Sequence, residues 1–250
     1  MAKNKTLRTR DAGALVEQVC YQRVQRTDDE QVRSIKREKT SEVMKRYNRK
    51  ASVRKFELML AANFRPGDVV GTVTYDDSSL PKDRKAADRK FRYFRQKLIA
   101  HYKARGVEMV VFWSTEHKHG EGRWHHHFIL PSTGDDYDAI RAAWIYGNDI
   151  ELKPLRVDKV KNYATLAAYY AKEAREQLGL RSWSYTRNAK KPVEEIDRVD
   201  DDFQLQTPDG VLVLEKTSIE TPYGRFEYIK YLRYYTDIPR PHARRRRRRS

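Results

Sequence analysis

The stretch GRWHHHFIL, residues 122–130, places three consecutive histidines in a run that otherwise suits a β-strand. Successive side chains of a strand point to opposite faces, so His125 and His127 would share one face and His126 would take the other. Imidazole is the commonest metal ligand in proteins, and two imidazoles one pleat apart can reach a single cation. The stretch therefore predicts a strand with a metal site; a loop with unrelated histidines, or core histidines paired to their neighbours, is the alternative.

A second stretch offers a third ligand. The run VEMVVFWSTE ends at Glu116, and the turn HKHGEG joins it to the histidine strand, which predicts a hairpin. If its arms pair, one carboxylate and two imidazoles converge and leave open positions on a cation. Such a set suits Mg²⁺ or Mn²⁺ and could take Zn²⁺, but without cysteines it does not match a closed structural zinc site. His117 and His119, in the turn, could substitute as ligands.

A tyrosine pair lies in the predicted helix KNYATLAAYYAKEAREQ, residues 161–177. At 100° per residue, the packed side of this helix would hold Tyr163, Leu166, Ala167, Tyr170 and Ala174. Tyr169 and Lys172 fall together on the polar side. The plain interpretation is a solvated helix face with an extended lysine. Beside a metal site, however, a tyrosine phenol is a suitable nucleophile toward a phosphodiester.

Composition narrows the class of partner. The 250-residue chain has a net charge of +17, which indicates a polyanionic partner and favours nucleic acid over a membrane. A single cysteine, Cys20, excludes an intrachain disulfide and fits a reducing compartment such as the cytoplasm. We expect no secretory signal in MAKNKTLRTR and no membrane span, because no long apolar run occurs.

The charge is concentrated at the two ends of the chain. Residues 1–60 hold 16 Lys and Arg against eight Asp and Glu, and residues 240–250 hold seven basic and no acidic residues. The arginine block at 244–249 should be disordered unless bound. Within the body, residues 82–105 hold ten basic against two acidic residues, which predicts a structured phosphate-binding face.

Periodicity predicts an α+β fold, an antiparallel sheet with helices packed on it. The predicted strands cover 67–75, 107–116, 122–130 and 149–157, with two more within residues 202–235. The predicted helices cover 41–62, about 20 residues from Asp83, 135–146, and 160–178. We accordingly divide the chain into a basic helical extension (1–65), a central domain (66–192), a strand-rich portion (193–239) and an Arg-rich tail (240–250).

Taken in order, these motifs resemble those of the HUH-type nicking endonucleases, specifically the rolling-circle replication initiators of plasmids and single-stranded DNA phages. The resemblance covers roughly residues 63–192 and rests on NFRPGD, TVTYDD, the Glu116 strand, GRWHHHFIL, LAAYYAKEA and RSWSYTRNAKKP. It implies a ferredoxin- or RRM-like nuclease core. It also implies His125, His127 and Glu116 as metal ligands, and Tyr169 with Lys172 as the catalytic pair. The chain departs from the family at His126, where a bulky hydrophobic residue is usual.

The resemblance implies metal-dependent nicking of single-stranded DNA at a replication origin. The nick would leave a 5′-phosphotyrosine and a free 3′-hydroxyl for a host polymerase, and the reverse reaction would rejoin strands. No GxxxxGK[ST] phosphate loop is present, so a host helicase would have to unwind the duplex. The alternatives are a single-tyrosine transposase or relaxase with the same chemistry, and a non-enzymatic basic DNA-binding protein with a structural metal.

Overall fold

The structure is a computed structural model that describes residues 4–23, 42–117, 123–158, 162–170, 183–221 and 224–233. The chain divides into two compact units. The terminal unit comprises the described residues within 1–62 and 191–238, and the central unit those within 63–190. Predictions about His119, Lys172, the helix end near Gly179 and the arginine tail lie outside the described residues.

The helices and strands are numbered in chain order. They are β1 (Lys5–Asp11), β2 (Leu15–Gln22), α1 (Glu42–Asn63), β3 (Val69–Thr74), α2 (Arg84–Ala104), β4 (Phe112–His117), β5 (Trp124–Leu130), α3 (Asp136–Ala143), β6 (Ile150–Pro154), α4 (Ala164–Tyr170), β7 (Ser184–Tyr185), β8 (Val193–Val199), β9 (Leu212–Thr221) and β10 (Gly224–Leu232). Among the described residues they form two antiparallel five-stranded sheets, so the predicted α+β class with an antiparallel sheet is confirmed. No described helix has both the length and the apolar character needed to cross a bilayer.

The terminal unit is a sheet with strand order β8–β1–β2–β10–β9. The helical prediction for the N-terminal extension holds for α1 but is wrong for residues 5–22, which form β1 and β2. Their hydrogen-bonding partners include β8 and β10, which lie far away in the sequence. Because the ladder depends on those distant strands, and the charged residues of KTLRTRD obscure its alternation, the local pattern did not reveal them.

The central unit is a sheet with strand order β6–β3–β5–β4–β7 and with helices on both of its faces. Side chains of α2 and α3 pack with one face of the sheet in a single hydrophobic cluster that includes Phe94, Phe128 and Ile140. On the other face, Tyr169 and Tyr170 of α4 contact the ring of His127. The strands expected at 67–75, 107–116, 122–130 and 149–157 all occur, although the second begins only at Phe112.

Helix α2 forms as its sequence predicts. The Asp83 side chain accepts a hydrogen bond from the backbone N–H of Ala86 at 2.7 Å and caps the first turn. Gly106 follows the helix with φ of 69°, a conformation that glycine adopts without strain. The predicted stripe is fully buried and consists of Phe91, Phe94, Leu98 and Tyr102. Burial of each such side chain contributes roughly 1.5–3 kcal/mol, so this stripe fixes α2 on the sheet.

Candidate active site

Strand register brings the histidines and Glu116 together. Glu116 of β4 lies directly opposite His125 of β5, and His127 is one pleat further along the same face. Glu116 Oε2 lies 2.9 Å from His125 Nε2 and 3.1 Å from His127 Nε2. One ligand atom from each of the three residues lies within 4.8 Å of the others, so the group could hold a metal ion.

The outer ring nitrogens fix how the two imidazoles are oriented. His125 Nδ1 lies 3.2 Å from the carbonyl oxygen of Arg123, which can only accept, so Nδ1 must carry the proton. His127 Nδ1 lies 2.9 Å from the hydroxyl of Thr72 on β3. Hydrogen bonds of this kind orient metal-binding histidines and leave Nε2 available as the ligand atom.

The electrostatics of Glu116 fit a bound cation. Its carboxyl group belongs to a residue that is only 5% exposed. Burial raises its pKa, but hydrogen bonds with His125 and His127 outweigh that effect and lower the pKa to about 2. With its proton on Nδ1, neutral His125 turns the Nε2 lone pair toward Glu116 Oε2. Two acceptors in contact require a proton or a metal cation between them.

A second acceptor supports the same conclusion. Glu116 Oε1 is buried and has no hydrogen-bond partner among the described residues. A buried carboxylate oxygen without a partner costs free energy. A cation held by Glu116 and the two histidines would offset that cost.

His126 points to the opposite face, as alternation predicts. Its ring stacks on Phe91 at 4.4 Å between centroids, and its two nitrogens lie 2.8 Å from Tyr75 Oη and 2.9 Å from Thr115 Oγ1. Burial lowers the pKa of His126 well below its ordinary value and keeps the ring neutral. The imidazole therefore fills the place of the bulky apolar residue that is usual there, and its polar atoms are satisfied.

We expect His126→Ala to destabilise the central unit by about 2–4 kcal/mol, because it leaves a cavity beside Phe91 and two buried hydroxyls without partners. His125→Ala, a change to a partly exposed side chain, should cost much less. Urea unfolding of both variants with metal chelated measures the difference. Equal losses from the two substitutions would contradict the core role of His126.

Helix α4 separates the two adjacent tyrosines. The Tyr169 side chain is 47% exposed and its phenol oxygen lies 3.2 Å from His127 Nε2. Tyr170 is 1% exposed, and burial raises the pKa of its phenol well above the ordinary value. Tyr163 and Ala167 are also buried. The predicted helix phase is thus confirmed over the described part of the helix, and Tyr169 is the tyrosine next to the histidines.

A cap that sequence reasoning missed sets the position of α4. Asp158 Oδ1 accepts from the backbone N–H of Asn162 at 3.2 Å, and Asp158 Oδ2 accepts from the Thr165 hydroxyl at 3.2 Å. Asn162 Oδ1 accepts from the N–H of Ala164, the first residue of the helix, at 3.1 Å. Asparagine two residues before a helical run is the sequence signal for such a cap.

Comparison with known proteins agrees with this geometry. Residues 68–178 match the model of a family described as Replication-associated protein ORF2. The match supports a rolling-circle replication initiator family. It confirms the resemblance for these residues and indicates a role in rolling-circle replication, and hence DNA binding. No curated protein and no solved structure matches the chain.

The replication-associated region contains a cleft of about 580 Å³ beside the tyrosine. Its lining includes His125, His127 and Tyr169 together with two cationic residues, Lys153 and Arg156, that sequence reasoning did not identify. Lys153 pairs with Glu151 at 3.3 Å, whereas Arg156 makes no ion pair with any described residue. The cleft therefore combines the histidine cluster, a phenol and a positive charge that no described carboxylate neutralises.

Two other groups of this replication-associated region lie apart from the cleft. His117 stacks on Trp124 at 4.4 Å, and both follow the face opposite Glu116. His101, Asp135 and Asp136 could also hold a metal by proximity. Asp136 already accepts hydrogen bonds from Ser132, Thr133 and Gly134, and Asp135 pairs with Arg105. This cluster is accounted for as the structure that begins α3.

Proposed function

We propose that this protein initiates rolling-circle DNA replication by nicking single-stranded DNA, with Tyr169 as the nucleophile and residues 66–192 as the nicking domain. The observation that carries the proposal is the 3.2 Å contact between the Tyr169 phenol oxygen and His127 Nε2, beside Glu116 and His125. A metal-ligating cluster next to an exposed phenol is the arrangement that phosphodiester transfer requires.

The proposed reaction exchanges one phosphodiester for another. The Tyr169 oxygen attacks phosphorus, and the bond from phosphorus to the 3′ oxygen breaks. The 5′ end stays on the tyrosine and the 3′-hydroxyl is released as a primer for a host polymerase. Because one ester replaces another, the reverse reaction can rejoin strands at termination.

His125, His127 and Glu116 would hold the metal ion, and their mixed nitrogen and oxygen ligands favour Mg²⁺ or Mn²⁺ over Zn²⁺. Such an ion supplies charge stabilisation at the phosphate. Thr72 and the Arg123 carbonyl keep the two imidazoles oriented, and the Asp158 cap keeps α4 in register beside them. The chain thus positions the phenol before DNA binds, which lowers the entropic cost of the attack.

Cations near the phenol complete the proposal. By resemblance, Lys172 would neutralise charge at the phosphate or protonate the leaving oxygen. Arg156 and Lys153 line the same cleft and would hold the backbone on either side of the scissile phosphate. A duplex cannot bring its backbone to a phenol beside a recessed cluster, so the substrate would be single-stranded or extruded. Unwinding would fall to a host helicase in the cytoplasm.

We expect Arg156→Ala to weaken binding of a single-stranded oligonucleotide about fivefold near 0.1 M salt and to reduce the log–log salt slope by about 0.7, because one phosphate contact is lost. Fluorescence anisotropy at several salt concentrations measures both quantities. The matched control is Arg141→Ala, which removes an exposed arginine of α3. An unchanged slope for Arg156→Ala, or an equal loss for Arg141→Ala, would place the phosphate contact elsewhere.

Incubation with a panel of single-stranded oligonucleotides tests the function directly. The expected result is cleavage at one sequence, dependent on Mg²⁺ or Mn²⁺ and abolished by a chelator, with protein attached to the 5′ end of the downstream fragment. Binding without cleavage across origin-like sequences would instead support a non-enzymatic DNA-binding protein with a structural metal. Transposase or relaxase activity would show as joining of the attached end to a new target rather than to its own 3′ partner.

A further inference from the structure

The outer face of α2 carries positive charge that the fold does not neutralise. Arg84 pairs with Asp88 and Arg105 pairs with Asp135. Seven other basic residues of α2 make no ion pair with any described residue: Lys85, Arg89, Lys90, Arg92, Arg95, Lys97 and Lys103. Like charges this dense on one helix repel one another unless an anion lies among them.

These cations lie on the side of the sheet away from the cleft. Phe91 of α2 stacks on His126, which points to the face opposite His125 and His127. The solvent side of α2 therefore belongs to a separate surface. DNA bound there would not compete with the strand in the cleft.

The centre of this surface is a concavity of about 370 Å³, which we call the α2 concavity. Its lining residues are Arg92, Arg95, Gln96, Ile99, Lys103, Val107, Glu108, Met109, Thr186 and Asn188. Arg92, Gln96, Ile99 and Lys103 recur at helical spacing and form one exposed stripe. From the first to the last of them the helix rises about 16 Å, enough to contact two or more backbone phosphates. The one carboxylate in the lining, Glu108, accepts from Asn188 Nδ2 at 3.1 Å.

Arg95 supplies a second, independent observation. Its guanidinium lies over the Trp113 ring at 4.1 Å, and its buried Nε has no hydrogen-bond partner among the described residues. Desolvation and the neighbouring charge of Arg92 both lower the pKa of Arg95. A phosphate in the concavity would give this cation the counterion that the fold withholds.

We propose that the α2 concavity and the stripe around it bind the phosphate backbone of duplex DNA that flanks the single strand in the cleft. Single-stranded sites combine a positive groove with aromatic rings on which bases stack. The described lining of the α2 concavity includes no aromatic residue, so it suits backbone contacts alone, which position a duplex without reading its sequence. The inference goes beyond the proposed nicking reaction, and duplex binding is measurable without it.

The test measures binding of the full chain to a 20-base-pair duplex and to one of its single strands over a range of salt concentrations. Arg92→Gln with Lys103→Gln should weaken duplex binding at least about tenfold near 0.1 M salt and reduce the salt slope by about 1.8, which is two phosphate contacts. Single-strand affinity should change less than twofold. Arg95 is left intact, because its stacking on Trp113 supports the packing of α2.

The matched control is Lys50→Gln with Lys55→Gln, which removes the same charge from exposed positions of α1. It should leave the duplex slope unchanged. Equal losses in both double variants, an unchanged slope in the α2 variant, or a parallel loss of single-strand binding would each overturn the proposal. Tyr169→Phe should bind duplex normally, so a failure of nicking and a failure of this surface remain distinguishable. Thermal unfolding checks that each variant is folded.

Discussion

Tyr169→Phe is expected to eliminate the covalent protein–DNA adduct and to abolish nicking. The substitution removes only the phenol oxygen, which lies 3.2 Å from His127 Nε2, and the ring still fills its place on α4. Loss of the attacking atom removes the reaction path itself, so no residual rate through the phosphotyrosine should remain. Denaturing gel electrophoresis of the protein after incubation with a cleavable oligonucleotide measures the adduct directly.

The adjacent tyrosine is the matched control. Tyr170→Phe makes the same chemical change one residue away, at a side chain that is 1% exposed. It should retain adduct formation and cost at most about 1–2 kcal/mol of stability. Mass spectrometry of the trapped wild-type adduct gives the attachment site independently. A nucleotide on Tyr170 or Tyr163 would show that Tyr169 is not the nucleophile.

His125→Ala and His127→Ala are each expected to reduce nicking by about 10²–10³, because either one removes a ligand from the cation that stabilises charge at the phosphate. DNA affinity should change little, since it arises mainly from phosphate neutralisation by Lys and Arg. Glu116→Ala should weaken metal binding in the same way. Single-turnover cleavage and anisotropy on the same oligonucleotide separate the two effects.

His117→Ala is the control for these substitutions. His117 precedes the turn of the same hairpin, but its ring stacks on Trp124 and follows the other face of the sheet. It should retain metal-dependent nicking close to the wild-type rate. Near-normal cleavage by the His125/His127 double variant would remove both histidines from the mechanism.

The parts of the site that depend on local periodicity could be predicted from the sequence. A period of two placed His125 and His127 together and His126 in the core, and the register of the hairpin added Glu116. Helical phase separated Tyr169 from Tyr170. Each inference needed only a neighbouring stretch of chain and a fixed geometric repeat.

The parts that depend on distant segments could not be predicted. β1 and β2 are held by strands more than 150 residues away, and their own sequence is too charged to indicate a strand. Arg156 lies in irregular structure after β6, where no repeat fixes its direction. The Asp158 cap involves side chains whose partners are set by a loop, although the asparagine before α4 was a usable signal.

The sheet of the terminal unit has a consequence for the timing of synthesis. β1 lies between β2 and β8, and β2 lies between β1 and β10, so neither N-terminal strand has its full set of partners until the last quarter of the chain is being made. At about 5–20 residues per second, the ribosome needs on the order of ten seconds or more to add the intervening residues. The replication-associated region is completed first. During that interval the first two strands are a nascent hairpin with open edges, and the unit is completed only by the end of translation.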